Sequence, residues 1–248
     1  MPTYCLTLQY DGSRYNGWQK QGNTSNTIQE KLEALLGRLY DMPVEIAGSG
    51  RTDAGVHALG QKASFRIPAG ANRYDCRELT RLLNQYLPED IRVTACTQKD
   101  ERFHARLLAK KKLYEYRIDT GETADVFQRR YALHLSDALD LEAMKQAAGA
   151  LTGTHDFKSF CSNKRMKKSS VRTIYSIEFL QKGNLLTIRY CGDGFLYHMV
   201  RILTGTLIEV GLGRKSPDDM KRILAARDRT QAGYTVPPQG LFLVSVLY

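Results

Sequence analysis

The sequence predicts an α+β fold: two similar half-domains sharing a central, mainly antiparallel sheet flanked by helices and loops, with a cleft between the halves. Three observations carry this. Alternating segments and helix-period segments follow one another in both halves of the 248-residue chain. Gln181-Lys-Gly-Asn184 is a hairpin-type connection between two alternating segments, which makes that pair antiparallel. No low-complexity linker separates the halves, so residues 1–108 and 109–248 are expected as adjoining half-domains, each long enough to bury a core.

Thr3–Tyr10 alternates as a strand, with Tyr4, Leu6 and Leu8 on one face. Thr27-Ile-Gln-Glu30 is a capping box, and Ile28, Leu32, Leu35, Leu36 and Leu39 follow at helical spacing. Pro43–Ala47 and Gln61–Ile67 are expected as strands, Asp75–Tyr86 as a helix and Ile91–Thr97 as a strand. In the second half Lys112–Asp119 alternates, with Tyr114, Tyr116 and Ile118 on one face and Glu115 and Arg117 on the other. A helix over Asp140–Leu151 follows. Val171–Leu180 is expected as a strand with Val171, Thr173, Tyr175, Ile177 and Phe179 on one face, and Leu185–Tyr190 pairs back on it. Tyr197–Val210 is a helix whose stripe is Met199, Ile202, Leu203, Thr206, Leu207 and Val210, ending at Gly211-Leu-Gly213. Ser216–Ala226 is a short helix, and Leu241–Leu247 a closing strand.

Composition narrows the class. An apolar share of 42% and a charged share of 25% are ordinary for a globular protein. No apolar run approaches the roughly 18 residues of a membrane span. The first ten residues alternate like a strand and lack the basic and apolar blocks of a signal peptide. Cys5, Cys76, Cys96, Cys161 and Cys191 are odd in number and scattered, and the five histidines show no ligand spacing. Free thiols and no metal site are therefore expected, in the cytoplasm or an equivalent reducing compartment. Lys and Arg outnumber Asp and Glu by 36 to 26, a net charge of +10 that favours a polyanion such as nucleic acid, or simply a solvated basic surface.

Gly50-Arg51-Thr52-Asp53-Ala54-Gly55-Val56-His57-Ala58 sets one carboxylate between an arginine and a glycine, in a run too small and polar to be core. The neighbouring Arg51 keeps Asp53 ionised, which suits a nucleophile better than a proton donor. The other reading is a surface turn whose Asp caps a helix.

Tyr114-Glu-Tyr116 follows Lys110-Lys111-Lys112. A tyrosine there stacks on a nucleobase, worth roughly 1–3 kcal/mol, or it is one of a pair of core aromatics on a half-buried strand. In Gly192-Asp-Gly-Phe-Leu-Tyr-His-Met-Val-Arg201, Arg201 lies one turn into a helix. It either reaches a carboxylate in the cleft or pairs on the surface with Asp193 or Glu209. Phe103-His-Ala-Arg106 is an aromatic-and-basic RNA contact or a connection between the halves. Lys164, Arg165, Lys167 and Lys168 make an uncompensated basic loop, suited to phosphates or to solvent alone. Trp18, in the loop after Tyr10, is near RNA or core.

Taken whole, the nine-residue Asp53 string resembles the catalytic loop of the TruA family of tRNA pseudouridine synthases. The Tyr114 and Arg201 segments and Gln239-Gly-Leu-Phe-Leu-Val244 agree with it in order, so the resemblance runs from Tyr10 to Val244. The Cys161–Ser170 loop and the Tyr234–Pro238 approach are the least family-like parts. The resemblance implies an isomerase that converts uridines 38, 39 and 40 of the tRNA anticodon stem-loop to pseudouridine, without a cofactor, as a homodimer. It implies Asp53 as nucleophile, Arg201 as its partner and Tyr114 on the target uracil; Arg51, Arg106 and the basic loop are expected on RNA from their charge. Two other functions fit the residues: a non-catalytic tRNA-binding module, and a glycosidic hydrolase. The hydrolase needs a second carboxylate, and the nearest acids, Asp41 and Glu45, sit in no comparable loop.

Overall fold

The structure is a computed structural model that describes residues 2–248. In chain order its strands are β1 Thr3–Tyr10, β2 Ala47–Gly48, β3 His57–Arg66, β4 Ile91–Lys99, β5 Lys111–Asp119, β6 Leu133–His134, β7 Gly153–Asp156, β8 Val171–Lys182, β9 Leu185–Gly192 and β10 Leu241–Leu247. The α-helices are α1 Ile28–Tyr40, α2 Cys76–Tyr86, α3 Leu141–Leu151, α4 Met199–Gly211 and α5 Asp219–Ala226. The pairing is mostly antiparallel, with helices alongside, which is the α+β class the sequence predicts. The chain divides into two units: the residues up to Lys110 with Phe242–Tyr248, and Lys111–Leu241.

In the first unit β1 lies between β4 and β3, antiparallel to both, and β10 runs parallel to β3 through Phe242↔His57 and Leu243↔Ala58. Half of the predicted capping box is seen: Thr27 Oγ1 accepts from the Glu30 amide at 3.2 Å, while the Glu30 carboxylate turns to Lys20 at 3.0 Å. Ile28, Leu32, Leu35 and Leu36 are buried as expected, with Tyr40 buried in place of the half-buried Leu39. Asp75 caps α2 in the same way, accepting from the Glu78 amide at 2.8 Å.

Two expected elements in this unit differ. Pro43–Ala47 is not a strand; only Ala47–Gly48 pairs, with β3. Side chains of α1 stand in for a strand partner there. Glu33 Oε1 accepts from the Ile46 amide at 3.0 Å, and Gln29 Nε2 donates to the Ile46 carbonyl at 3.3 Å. The Gln61–Ile67 strand starts earlier, at His57, because Ala58 pairs with Tyr10 on one side and Leu243 on the other.

In the second unit β5, β9, β8 and β7 are consecutive antiparallel neighbours, with β6 parallel to β5. Tyr116, Ile118, Ile188 and Tyr190 are buried. Burying an aliphatic or aromatic side chain of this size stabilises by about 1.5–3 kcal/mol. The Tyr190 and Thr204 hydroxyls meet at 2.8 Å, so β9 is pinned to α4 by a bond as well as by apolar contact. Helix α4 carries the predicted stripe, yet it is buried almost all round, with Arg201 and Glu209 half-buried.

Three local expectations are corrected here, and one charged side chain is buried. The alternation of β8 breaks at a bulge between Ile174 and Ser176, which inserts Tyr175 without a β9 partner. Ile174 is therefore buried, while Val171 and Tyr175 are exposed. The helix expected from Tyr197 starts at Met199, because His198 takes the left-handed conformation, φ 62°. The helix expected from Ser216 starts at Asp219. Ser216 and Pro217 instead form its turn: the Asp219 amide donates to the Ser216 carbonyl at 3.1 Å, and the Ser216 amide to Asp219 Oδ2 at 2.9 Å. Finally, Glu115 faces away from Tyr114 as expected but is buried, because Arg189 (2.7 Å) and Arg117 (3.3 Å) cover its carboxylate.

Candidate active site

Asp53 lies between β2 and β3 on a loop that is held from two sides. One side is the chain after β1. The Trp18 amide donates to the Thr52 carbonyl at 3.0 Å, and the Gly55 amide to the Tyr15 carbonyl at 3.3 Å. These backbones touch so closely that side chains are excluded. A Cβ on Gly12 would stand 2.0 Å from the Val56 carbonyl oxygen, and one on Gly17, at φ 89°, 2.6 Å from that of Thr52. Trp18 is core: it is buried, with its indole against Gly48.

The other side is a buried polar network beneath the loop. The Tyr10 and Thr52 hydroxyls are 2.8 Å apart. Gln61 Nε2 donates to the Gly50 carbonyl at 2.9 Å, and Gln61 Oε1 accepts from Ser49 Oγ at 2.6 Å. Desolvation pushes the Tyr10 phenol up to about 12, so it keeps its proton near neutral pH. The loop closes on itself through the Val56 amide, which donates to the Asp53 carbonyl at 3.1 Å.

Part of the string is core after all. Thr52, Val56, His57 and Ala58 are buried, whereas Asp53 is half-buried and Arg51 exposed. Nδ1 of His57 accepts from the Gly12 amide at 3.1 Å, and the ring stacks on Phe242. The same nitrogen lies 3.1 Å from Asp11 Oδ1, so the loop after β1 meets the His57 ring through a backbone amide and a carboxylate.

The other expected catalytic residues belong to the second unit. Tyr114 is buried on β5 opposite Tyr190, with Phe195 edge-on to its ring at 5.3 Å. Tyr116 packs in the core, and its hydroxyl donates to the Pro237 carbonyl at 2.7 Å. Burial raises the Tyr116 phenol well above its ordinary value, against the opposing pull of the Arg201 charge.

Arg201 is half-buried, and its Nε donates to the Val236 carbonyl at 2.8 Å. The two acids open to it in the sequence each have another partner. Glu209 pairs with Lys215 at 3.4 Å, and Asp193 Oδ1 accepts from the Thr173 amide at 3.0 Å. The segment that anchors Arg201 is itself moulded to α4. A Cβ on Gly205 would lie 2.0 Å from the Tyr234 carbonyl oxygen, and the Gly233 amide donates to Thr206 Oγ1 at 2.9 Å.

Of the expected RNA contacts, Arg106, Lys164, Arg165, Lys167 and Lys168 are all exposed. His104 is satisfied locally, its Nδ1 accepting from the Arg106 and Leu107 amides at 3.1 and 3.4 Å. Phe103 packs on Tyr248, whose hydroxyl donates to the Ala105 carbonyl at 2.9 Å. Among the described residues, no group of three or more His, Cys, Asp or Glu side chains could hold a metal ion, and no helix is long and apolar enough to cross a membrane.

The family model described as tRNA pseudouridine synthase matches residues 7–106 and 147–248. A protein named tRNA pseudouridine synthase A from Bacillus sp. (strain KSM-64) is 46% identical over 248 residues, covering 100% of both chains. One named tRNA pseudouridine synthase A 2 from Bacillus cereus (strain ZK / E33L) is 43% identical, covering 99% of both. A solved chain titled "Crystal Structure of a Cbf5-Nop10-Gar1 Complex" aligns at 13% identity and a TM-score of 0.35, over 83% of this chain and 45% of that one, too weak a likeness to bear on the fold.

Proposed function

The chain belongs to the tRNA pseudouridine synthase family, and from that premise we propose that it isomerises uridines 38, 39 and 40 of the tRNA anticodon stem-loop, with Asp53 as nucleophile and no cofactor. The observation that carries this reading is the mounting of Asp53. A half-buried carboxylate rides on a loop clamped by backbone on one side and by a buried hydroxyl and amide network on the other. Rigid support of that kind is what a reacting group needs to keep its geometry.

The reaction breaks the N1–C1′ bond, turns the uracil and joins C5 to C1′; C5 then gives up its proton and N1, freed from the sugar, carries one in its place. Substrate and product are isomers, so no electrons are gained or lost. The target base must leave its stack, at a cost of a few kcal/mol. Tyr114 stacks on the uracil, and Arg51 contacts the flipped nucleotide. Arg201 positions Asp53 and offsets the cost of covering its charge. Arg106, Lys164, Arg165, Lys167 and Lys168 neutralise phosphates. The working form is a homodimer in the cytoplasm.

The test is to incubate the purified protein with unmodified tRNA transcript and map pseudouridine by nucleotide, with Asp53→Asn alongside. Pseudouridine at 38–40, lost in the variant while tRNA binding persists, is the expected result. A variant that keeps more than about a hundredth of the wild-type rate removes Asp53 from the nucleophile role. Tight binding without product moves the assignment to a binding module, and release of free uracil to a hydrolase.

A further inference from the structure

We propose that Tyr197, stacked on His198 at the root of the Cys161–Ser170 loop, is a platform for an unpaired base of the tRNA, beside phosphates held by that loop. The proposal rests on the reading that the substrate is tRNA.

The two rings stack, with centroids 3.8 Å apart and planes inclined at 27°. His198 covers one face of the tyrosine, yet Tyr197 remains 53% exposed. The pair is built into the turn and is not a chance surface contact. His198 holds the left-handed conformation that residues other than glycine rarely adopt. The Met199 amide closes the turn on the Leu196 carbonyl at 3.0 Å, and the Ile202 amide donates to the His198 carbonyl at 2.9 Å. An exposed ring on so defined a turn offers a flat face without having to be ordered first.

The basic loop is tied to this turn at two points. The Ser162 amide donates to the Tyr197 carbonyl at 3.2 Å, and Ser162 Oγ is 3.0 Å from His198 Nδ1. From there the loop runs through Lys164, Arg165, Lys167 and Lys168, all exposed, with no acidic residue between Cys161 and Ser170. Met199 and Leu196, the neighbouring apolar side chains, are buried, so the turn offers one ring rather than an apolar patch. A single open aromatic face next to uncompensated cations matches a polyanion that carries planar groups, which is single-stranded RNA.

The experiment measures the dissociation constant and its salt dependence for unmodified tRNA transcript, in an Asp53→Asn background where turnover does not intervene. Tyr197→Ala and Tyr197→Leu are expected to weaken binding by about 5- to 150-fold, the equivalent of one base stack. Tyr197→Phe weakens it less than either. The slope of log affinity against log salt stays the same, because no charge that meets a phosphate is removed. Tyr86→Ala, at a tyrosine that is 55% exposed on α2, leaves affinity unchanged. An affinity within twofold of the parent for Tyr197→Ala and Tyr197→Leu overturns the platform. So does a loss that tracks a lowered melting temperature or a changed oligomeric state, which would make this surface a protein interface. Failure of the Asp53 reading shows separately, as absent pseudouridine in the wild type.

Discussion

The hydroxyls of Tyr10 and Thr52 meet at 2.8 Å in the interior, one residue from the carboxylate assigned as nucleophile. Gln61 completes the arrangement by reaching the Gly50 carbonyl, so both ends of the Gly50–Thr52 segment are tied to β1 and β3. Tyr10→Phe removes one hydroxyl and keeps the ring. It is expected to cost about 1 kcal/mol of stability, the net worth of a buried hydrogen bond. It is also expected to lower kcat about tenfold or more, as small displacements of a reacting group do, with little change in KM. Denaturant melts and steady-state pseudouridine assays check both. An unchanged kcat would make the network purely structural.

Gly12 is the tightest point of the clamp. With 2.0 Å available to a new Cβ, Gly12→Ala must push apart the two loops or shift Val56. Overpacking of this kind costs about 1–3 kcal/mol, and activity falls with it because the displaced backbone carries Asp53. Gly22 has nothing within 4 Å of the same position, so Gly22→Ala serves as the matched control. Equal melting temperatures and rates for the two variants would contradict the clamp.

Buried phenols set an upper pH limit. Burial raises Tyr10 from its ordinary 10.0 to about 12, and burial is likewise the first cause of the upward displacement of Tyr190 and Tyr116. Between those values the folded state keeps protons that the unfolded state has given up, so it binds more protons and stability falls as pH rises. The loss should begin near pH 10 and grow toward 12. Melting temperatures at pH 9 and 11 measure it, and Tyr10→Phe should flatten the fall.

Local signals in the sequence account for the strands and helices that depend on local chemistry. Thr27 and Asp75 announce helix starts because a cap needs only its own next turn. β1 and β10 match their expected bounds because alternation, in the first, and a continuous apolar run, in the second, are themselves local. What escaped depends on distant partners. Glu33, far along the chain, satisfies the Ile46 amide and removes the need for a strand at Pro43–Ala47. The bulge at Tyr175 is a matter of β8 and β9 register, invisible in β8 alone. For the site, the glycines and charges of the Asp53 string left a surface turn as open as a reacting carboxylate, and only the resemblance of the whole string chose between them; the support beneath it was not legible at all. Tyr10 and Gln61 look like ordinary strand residues until the sheet places both under the loop. Gly12 and Gly17 were the available hint, since glycines in the loop that follows a strand often mark a close backbone approach.

The basic loop gives the last prediction, because its signature differs in kind from that of the Tyr197 stack. Lys164, Lys167 and Lys168 are exposed point charges, able to contribute to binding through counterion release. Replacing all three by Ala should weaken tRNA binding most at low salt and reduce the salt slope by about 2 to 3, close to one for each phosphate that is no longer neutralised. Folding should be unaffected, since surface substitutions of this kind lie within about 0.5 kcal/mol. Filter binding across a salt series reads the slope directly. A slope equal to the parent's would mean that the loop's charges stay in solvent when RNA binds. A reduced slope here, set against the unchanged slope expected for Tyr197→Ala, would divide one surface into a part that holds phosphates and a part that holds a base.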